Sequence, residues 1–108
     1  FDAIIDKGTL DALLCADPAA GHAMLAEISR VLRSSGGCFV HVTDCPPDKR
    51  LPLLQNARLR WKLHRHVALP RPLLVHHLPV AKAAAGDGDG ADAASHHMYV
   101  LKRTAALH

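Results

Sequence analysis

The chain has 108 residues, a formal net charge of +3 and a hydrophobic content of 49%. This length suits one small domain or part of a larger one, and the apolar content excludes a chain that is disordered throughout. No apolar run approaches the ~20 residues of a membrane-spanning helix, so we expect no membrane partner. Few aromatic residues lie among the basic residues, Trp61 between Arg60 and Lys62 being one, which argues against a nucleic-acid partner.

The residue types also suggest a cellular compartment and a kind of core. Cys15, Cys38 and Cys45 are odd in number and form no C-x-x-C pair, which favours reduced thiols and a cytoplasmic location. Aromatic residues make up only 4% of the chain, so we expect a core of Leu, Val, Ile and Ala. Because the chain begins with Phe inside a predicted strand, we expect it to lack its natural beginning.

The first fourteen residues combine an apolar run, a polar turn and a short helix. Residues 1–5 are nearly all apolar, which is typical of a strand buried on both faces of a parallel sheet. Asp6, Lys7 and Gly8 follow as a turn, and Thr9 is placed to cap the next helix. Open α/β sheets bind ligands outside the carboxyl ends of their strands, so this turn is a candidate site.

The downstream sequence predicts two more helices and three more strands. The helices are expected at Ala20–Arg33 and between residues 48 and 57, and the strands at Cys38–Thr43, Trp61–Leu69 and Met98–Leu101. A strand, a helix, a Gly-Gly turn and a strand form a βαβ unit, so the first two strands should be parallel. Residues 81–95 are an Ala, Gly and Asp-rich loop, which would make the last two strands a hairpin with a long connection.

Two interpretations remain open at each strand end. Gly8 allows a ligand to approach the backbone closely, and Asp6 is placed to accept hydrogen bonds or orient a substrate amine. Alternatively, Asp6 or Thr9 caps the helix and Lys7 is solvated. Thr43 and Asp44 end the second strand at the same edge, where they either line the substrate side of the crevice or form a simple turn.

The string DKGTLDALL at residues 6–14, preceded by Phe1-Asp2 and an apolar run, resembles a segment of class I S-adenosylmethionine-dependent methyltransferases. The resemblance is to the group that includes the elongation-factor-1-alpha lysine methyltransferases, and the later helix, Gly-Gly turn and strand follow in similar order. It implies an α/β, Rossmann-like fold in which residues 1–108 are the carboxyl-terminal part of one methyltransferase domain. The four strands would be its fourth to seventh, with the last antiparallel.

The resemblance also implies a cofactor and a set of roles. S-adenosyl-L-methionine would be bound by Asp6, Lys7 and Gly8, and Thr43 and Asp44 would face the methyl acceptor, a protein lysine or a small molecule. No catalytic residue is implied. The Gly-rich cofactor loop of such enzymes is not found in the sequence, so the alternative is a non-catalytic module that acts through protein contacts. An exposed apolar first strand would favour self-association.

The nine histidines match no zinc-binding spacing, so we expect no metal. His64 and His66 are spaced to share one strand face. The basic run over residues 58–66 is interpreted as a solvated face beside the third strand, with an acidic partner or RNA as the alternative.

Overall fold

The structure is a computed structural model that describes residues 1–70 and 94–104. Within these ranges four strands, three helices and a short 3-10 turn are present. In chain order they are β1 (Ala3–Lys7), α1 (Thr9–Ala16), α2 (Pro18–Val31), β2 (Cys38–Thr43), α3 (Pro47–Leu54), the 3-10 turn (Ala57–Leu59), β3 (Trp61–Pro70) and β4 (Ala94–Arg103). The predicted alternation of helices and strands is therefore confirmed, and β2 has the predicted bounds.

The four strands form one mixed sheet in the order β1-β2-β4-β3. β1 and β2 are parallel, as the βαβ pattern predicts, and β4 runs antiparallel to both β2 and β3. The predicted hairpin partners are thus adjacent. Most of the predicted loop at 81–95 lies outside the described residues, although β4 already begins at Ala94 rather than at Met98. This mixed α/β sheet is consistent with part of a Rossmann-like fold.

The boundary between α1 and α2 explains why the second helix begins earlier than predicted. The Asp17 side chain accepts a hydrogen bond from the Ala19 backbone N–H at 3.1 Å, and Pro18 occupies the first helical turn. Both features stabilise a helix start, because a capping oxygen satisfies a free N–H and proline supplies a helical φ. The helix ends at Val31 because Leu32 takes an extended conformation.

The core lies on the face of the sheet that carries the helices. Phe39 on β2 and Leu101 on β4 are cross-strand partners and are both fully buried. The buried apolar residues are Leu10, Leu25, Ile28, Leu32, Phe39, Leu54, Leu59, Trp61, Tyr99 and Leu101. The expectation of a core made of Leu, Val, Ile and Ala is therefore wrong in part. Phe39, Trp61 and Tyr99 belong to the core, and alternation along the strands turns Val40 and Val100 away from it.

An irregularity in β3 divides its apolar residues between the two faces. Leu63 pairs with Leu101, but Arg65 pairs with Val100, so His64 is the extra residue of a bulge. One extra residue reverses the side-chain alternation beyond it, which places Val67 on the face opposite Leu63. The expected shared face of His64 and His66 is broken for the same reason.

A candidate site at the carboxyl edge of the sheet

The predicted polar turn is shorter than expected. Asp6 and Lys7 continue β1, where they pair with His41 and Val42 of β2. The turn is made by Gly8, whose φ of 96° lies in the left-handed region. A Cβ atom at Gly8 would meet nothing within 4 Å, so open space lies beside this backbone. Glycine suits this position because it has no side chain to penalise positive φ.

Asp6, rather than Thr9, satisfies the first turn of α1. Its Oδ1 accepts hydrogen bonds from the Thr9 N–H at 3.0 Å and the Leu10 N–H at 3.4 Å, and Thr9 makes no capping contact of its own. Its Oδ2 accepts from Nδ1 of His41 at 2.9 Å. Asp6 is buried, and the hydrogen bonds to its two carboxylate oxygens hold β1, α1 and β2 together.

His41 is a completely buried histidine in the middle of the site. Its ring stacks between Phe39 and Tyr99, with centroid distances of 5.8 and 6.1 Å. Burial lowers the pKa of His41, and the attraction of Asp6 opposes this effect only in part. The neutral ring therefore donates from Nδ1 to Asp6, which leaves Nε2 as an acceptor that has no partner among the described residues.

A second polar cluster joins α1, the end of β2 and α3. Asp11 Oδ1 accepts from Thr43 Oγ1 at 2.8 Å and from Arg50 Nη2 at 2.9 Å. Thr43 Oγ1 in turn accepts from the Cys45 N–H at 3.1 Å. Arg50 is buried, and its Nε and Nη1 have no partner within the described ranges. The cluster fixes the loop that follows β2 against the first helix.

Tyr99 connects the ring stack to the same loop. Its hydroxyl donates to the Cys45 carbonyl at 2.7 Å, and burial raises the pKa of Tyr99 to about 12. On its other side Tyr99 stacks on His66 at 5.0 Å, and His66 stacks on His97 at 5.1 Å. The loop after β2 is thus held both by a carboxylate and by a buried phenol.

The predicted site residues divide into accessible and buried groups. Lys7, Gly8 and Asp44 are exposed at the carboxyl ends of β1 and β2, whereas Asp6 and Thr43 are buried beneath them. Asp6 bonds to His41, and Thr43 bonds to Asp11, so both buried residues support the edge from beneath. The accessible residues face solvent at this edge, and their part in binding a ligand stays a prediction.

Sequence reasoning missed Asp11, His41, Arg50 and Tyr99 as members of this edge. His41 carried a usable signal, because a polar residue interrupts the apolar strand CFVHVT at a position buried on the helix face. Asp11 and Arg50 gave no such signal in the sequence, because charged residues are common on exposed helices. The described residues contain no group of three or more His, Cys, Asp or Glu side chains placed to bind a metal ion. No helix in the described ranges is long and apolar enough to cross a membrane.

Comparison with known proteins gives a partial match. The chain is 34% identical over 76 residues to EEF1A lysine methyltransferase 4 from Mus musculus. The match covers 61% of this chain and 29% of that relative, so the chain spans less than a third of the relative's length. No protein-family model matches the chain. The likeness supports a methyltransferase-like relationship.

Proposed function

We propose that the chain is part of an S-adenosylmethionine-dependent methyltransferase, and that its carboxyl edge contributes one wall of the cofactor and acceptor site. The identity with the mouse lysine methyltransferase carries this proposal. The arrangement of the edge supports it, because the strands β1 and β2 end together and present Lys7, Gly8 and Asp44 to solvent. Such an edge is where open α/β sheets bind ligands.

The residues at this edge fit a cofactor in part. Open space beside Gly8 leaves room for a bound molecule next to the backbone, and the exposed Lys7 ammonium suits the carboxylate of an amino-acid moiety. When bound, S-adenosylmethionine supplies an electrophilic methyl group. Asp6 has both oxygens engaged, so its part is to hold the Gly8 turn and His41 in place rather than to touch the ligand.

The acceptor that we propose is a protein lysine, on the basis of the name of the mouse relative. The exposed carboxylate of Asp44 is placed to attract the lysine ammonium at the edge. Thr43 and Arg50 hold the Asp44 loop through Asp11, which fixes where the amine would enter. A fixed approach and exclusion of water are the contributions that a protein makes to such a transfer.

Calorimetric titration of S-adenosylhomocysteine into the chain tests this proposal. Because only one wall is present, we expect weak saturable binding, with a Kd of about 1 mM or tighter. Gly8→Asn should weaken binding at least ~tenfold, since it fills the open space while asparagine tolerates positive φ. Gly36→Asn is the matched control, because Gly36 has a φ of 89° and open surroundings away from the site.

Either of two results would count against the cofactor site. One is the absence of saturable binding to the folded chain, and the other is an equal loss of affinity in the Gly8 and Gly36 variants. Both would favour the alternative, a non-catalytic methyltransferase-like module that acts through protein contacts.

The exposed edge strand supports that alternative and a tendency to self-associate. Among the described strands β1 pairs only with β2, and Ile5 on β1 is 72% exposed. An unpaired strand with an apolar side chain readily pairs with another chain. We therefore expect the chain to form dimers or larger species, and expect Ile5→Lys to shift it toward monomer because a charge on the edge opposes pairing.

Light scattering coupled to gel filtration measures this shift. His22→Lys is the control, because it adds the same charge on an exposed position of α2. Self-association through β1 is wrong if the unaltered chain is monomeric at all concentrations, or if both variants shift the equilibrium equally.

A further inference from the structure

A small cavity lined by arginines lies at the end of the sheet opposite the candidate site. It has a volume of about 210 Å³ and lies between α2, the 3-10 turn, and the end of β4. Its lining consists of Ala26, Ser29, Arg30, Arg58, Arg60 and Arg103, and we name it the arginine pocket. Since water in the liquid takes about 30 Å³ per molecule, the pocket has room for a tetrahedral oxyanion.

Hydrogen bonds tie together the elements that form the walls of the arginine pocket. Ser29 Oγ donates to the Leu59 carbonyl, which ties α2 to the 3-10 turn. Arg103 Nη1 donates to the carbonyls of Ser29 and Leu32 at 2.5 and 3.0 Å. Thr104 donates to the Arg60 carbonyl from both its N–H and its Oγ1, each at 3.1 Å. These bonds hold α2, the 3-10 turn and the end of β4 together around the pocket, with the Arg103 guanidinium forming part of its wall.

Positive charge in the arginine pocket greatly exceeds negative charge. No acidic residue is among the described residues that line it, although Arg30 of the lining forms an exposed ion pair with Glu27. Arg103 Nε is buried and has no hydrogen-bond partner within the described part of the chain. Several like charges in one concave site focus the field and favour an anion. Arginine also suits phosphate because its donors match the oxygen geometry.

Arg60 adds a second unusual feature. Its φ of 54° lies in the left-handed region, and it is the one residue other than glycine with positive φ in the described ranges. The left-handed conformation is unfavourable for a residue with a Cβ atom, so glycine would fit this turn better. An arginine at this unfavourable backbone position, on the rim of a cavity, points to a functional role for its guanidinium group.

A larger cavity adjoins the arginine pocket and shares Arg60 with it. It has a volume of about 510 Å³ and is lined by polar and aromatic side chains that include Gln55, Asn56, Trp61 and Lys62. We propose that the arginine pocket binds the phosphoryl group of a small phosphorylated organic molecule, and that the larger cavity holds the organic part. This site is separate from the carboxyl edge and does not depend on the proposed methyl transfer.

Titrations of the chain with inorganic phosphate and with phenyl phosphate, at constant ionic strength, test the proposal. Amide chemical shifts and the thermal midpoint both report binding without any assumption about enzymatic activity. We expect saturable binding with a Kd of about 1 mM or tighter, and shifts concentrated around Arg58, Arg60 and Arg103. Phenyl phosphate should bind more tightly than phosphate; equal affinities would overturn the part assigned to the larger cavity.

Two variants separate binding from folding. Arg58→Gln and Arg60→Gly should each weaken phosphate binding at least ~tenfold, and Arg60→Gly should leave the thermal midpoint in buffer unchanged or higher because glycine accepts positive φ. Arg33→Gln, which removes an exposed arginine paired with Asp2, is the matched control for net charge. No saturable binding, or equal weakening in the Arg33 control, would overturn the proposal.

Discussion

Replacing Asp6 with alanine is expected to lower the free energy of unfolding by about 3 kcal/mol. The substitution removes the acceptor for two backbone N–H groups of α1 and for His41 Nδ1. Both Asp6 and His41 are buried, so water does not replace the lost carboxylate without reorganising the core. Urea unfolding at neutral pH measures the loss, and far-ultraviolet circular dichroism of the folded variant measures how much helix it loses.

Two variants show whether this loss comes from the buried network. Asp17→Ala removes an exposed capping carboxylate at α2 and should cost only about 1 kcal/mol. Asp6→Asn keeps one acceptor oxygen and should fall between the unaltered chain and Asp6→Ala. If Asp6→Ala costs no more than Asp17→Ala, the carboxylate does not hold the carboxyl edge together as described.

Raising the pH above 10 is expected to destabilise the chain through Tyr99. The pKa of Tyr99 rises from its ordinary value of 10 to about 12 because the phenol is buried. Between these values the unfolded chain loses the Tyr99 proton while the folded chain keeps it, so stability falls as pH rises. A pKa difference of about two units corresponds to about 3 kcal/mol, most of it lost by pH 12.

The Tyr99→Phe variant isolates this contribution from the other groups that titrate at high pH. Phenylalanine removes the hydrogen bond to the Cys45 carbonyl and should cost about 1 kcal/mol at neutral pH. The difference between the two chains should then shrink and reverse as pH rises from 9 to 12. Unfolding free energies that stay parallel over this range would show that Tyr99 titrates normally in the folded chain.

The strand and helix pattern was largely predictable because it depends on local periodicity. Residues 38–43 carry a compact apolar run after Gly-Gly, and β2 has those bounds. The bulge at His64 was not predictable, since its cause is the pairing of β3 with β4, a contact between distant segments. The same holds for the place of β4 between β2 and β3, which sequence order does not encode.

From the sequence, only the location of the candidate site at the carboxyl edge of the sheet could be predicted. Residues near strand ends can be located from the pattern, and Lys7, Gly8 and Asp44 are indeed exposed at this edge, while their role in binding a ligand stays a prediction. Their supports could not be found, because the contacts of Asp6 with His41 and of Asp11 with Arg50 join residues 35 and 39 positions apart. A sequence shows which side chains are polar, but only the fold shows which of them are buried against each other.

Residue-resolved titration of the ¹⁵N-labelled chain with S-adenosylhomocysteine shows whether the carboxyl edge binds the cofactor. We expect saturable shifts of the backbone signals of Lys7, Gly8, Thr9 and Asp44, and none at Gly36 or around the arginine pocket. Shifts that map elsewhere, or no saturable shifts in a chain shown to be folded, would contradict a cofactor site at the carboxyl edge.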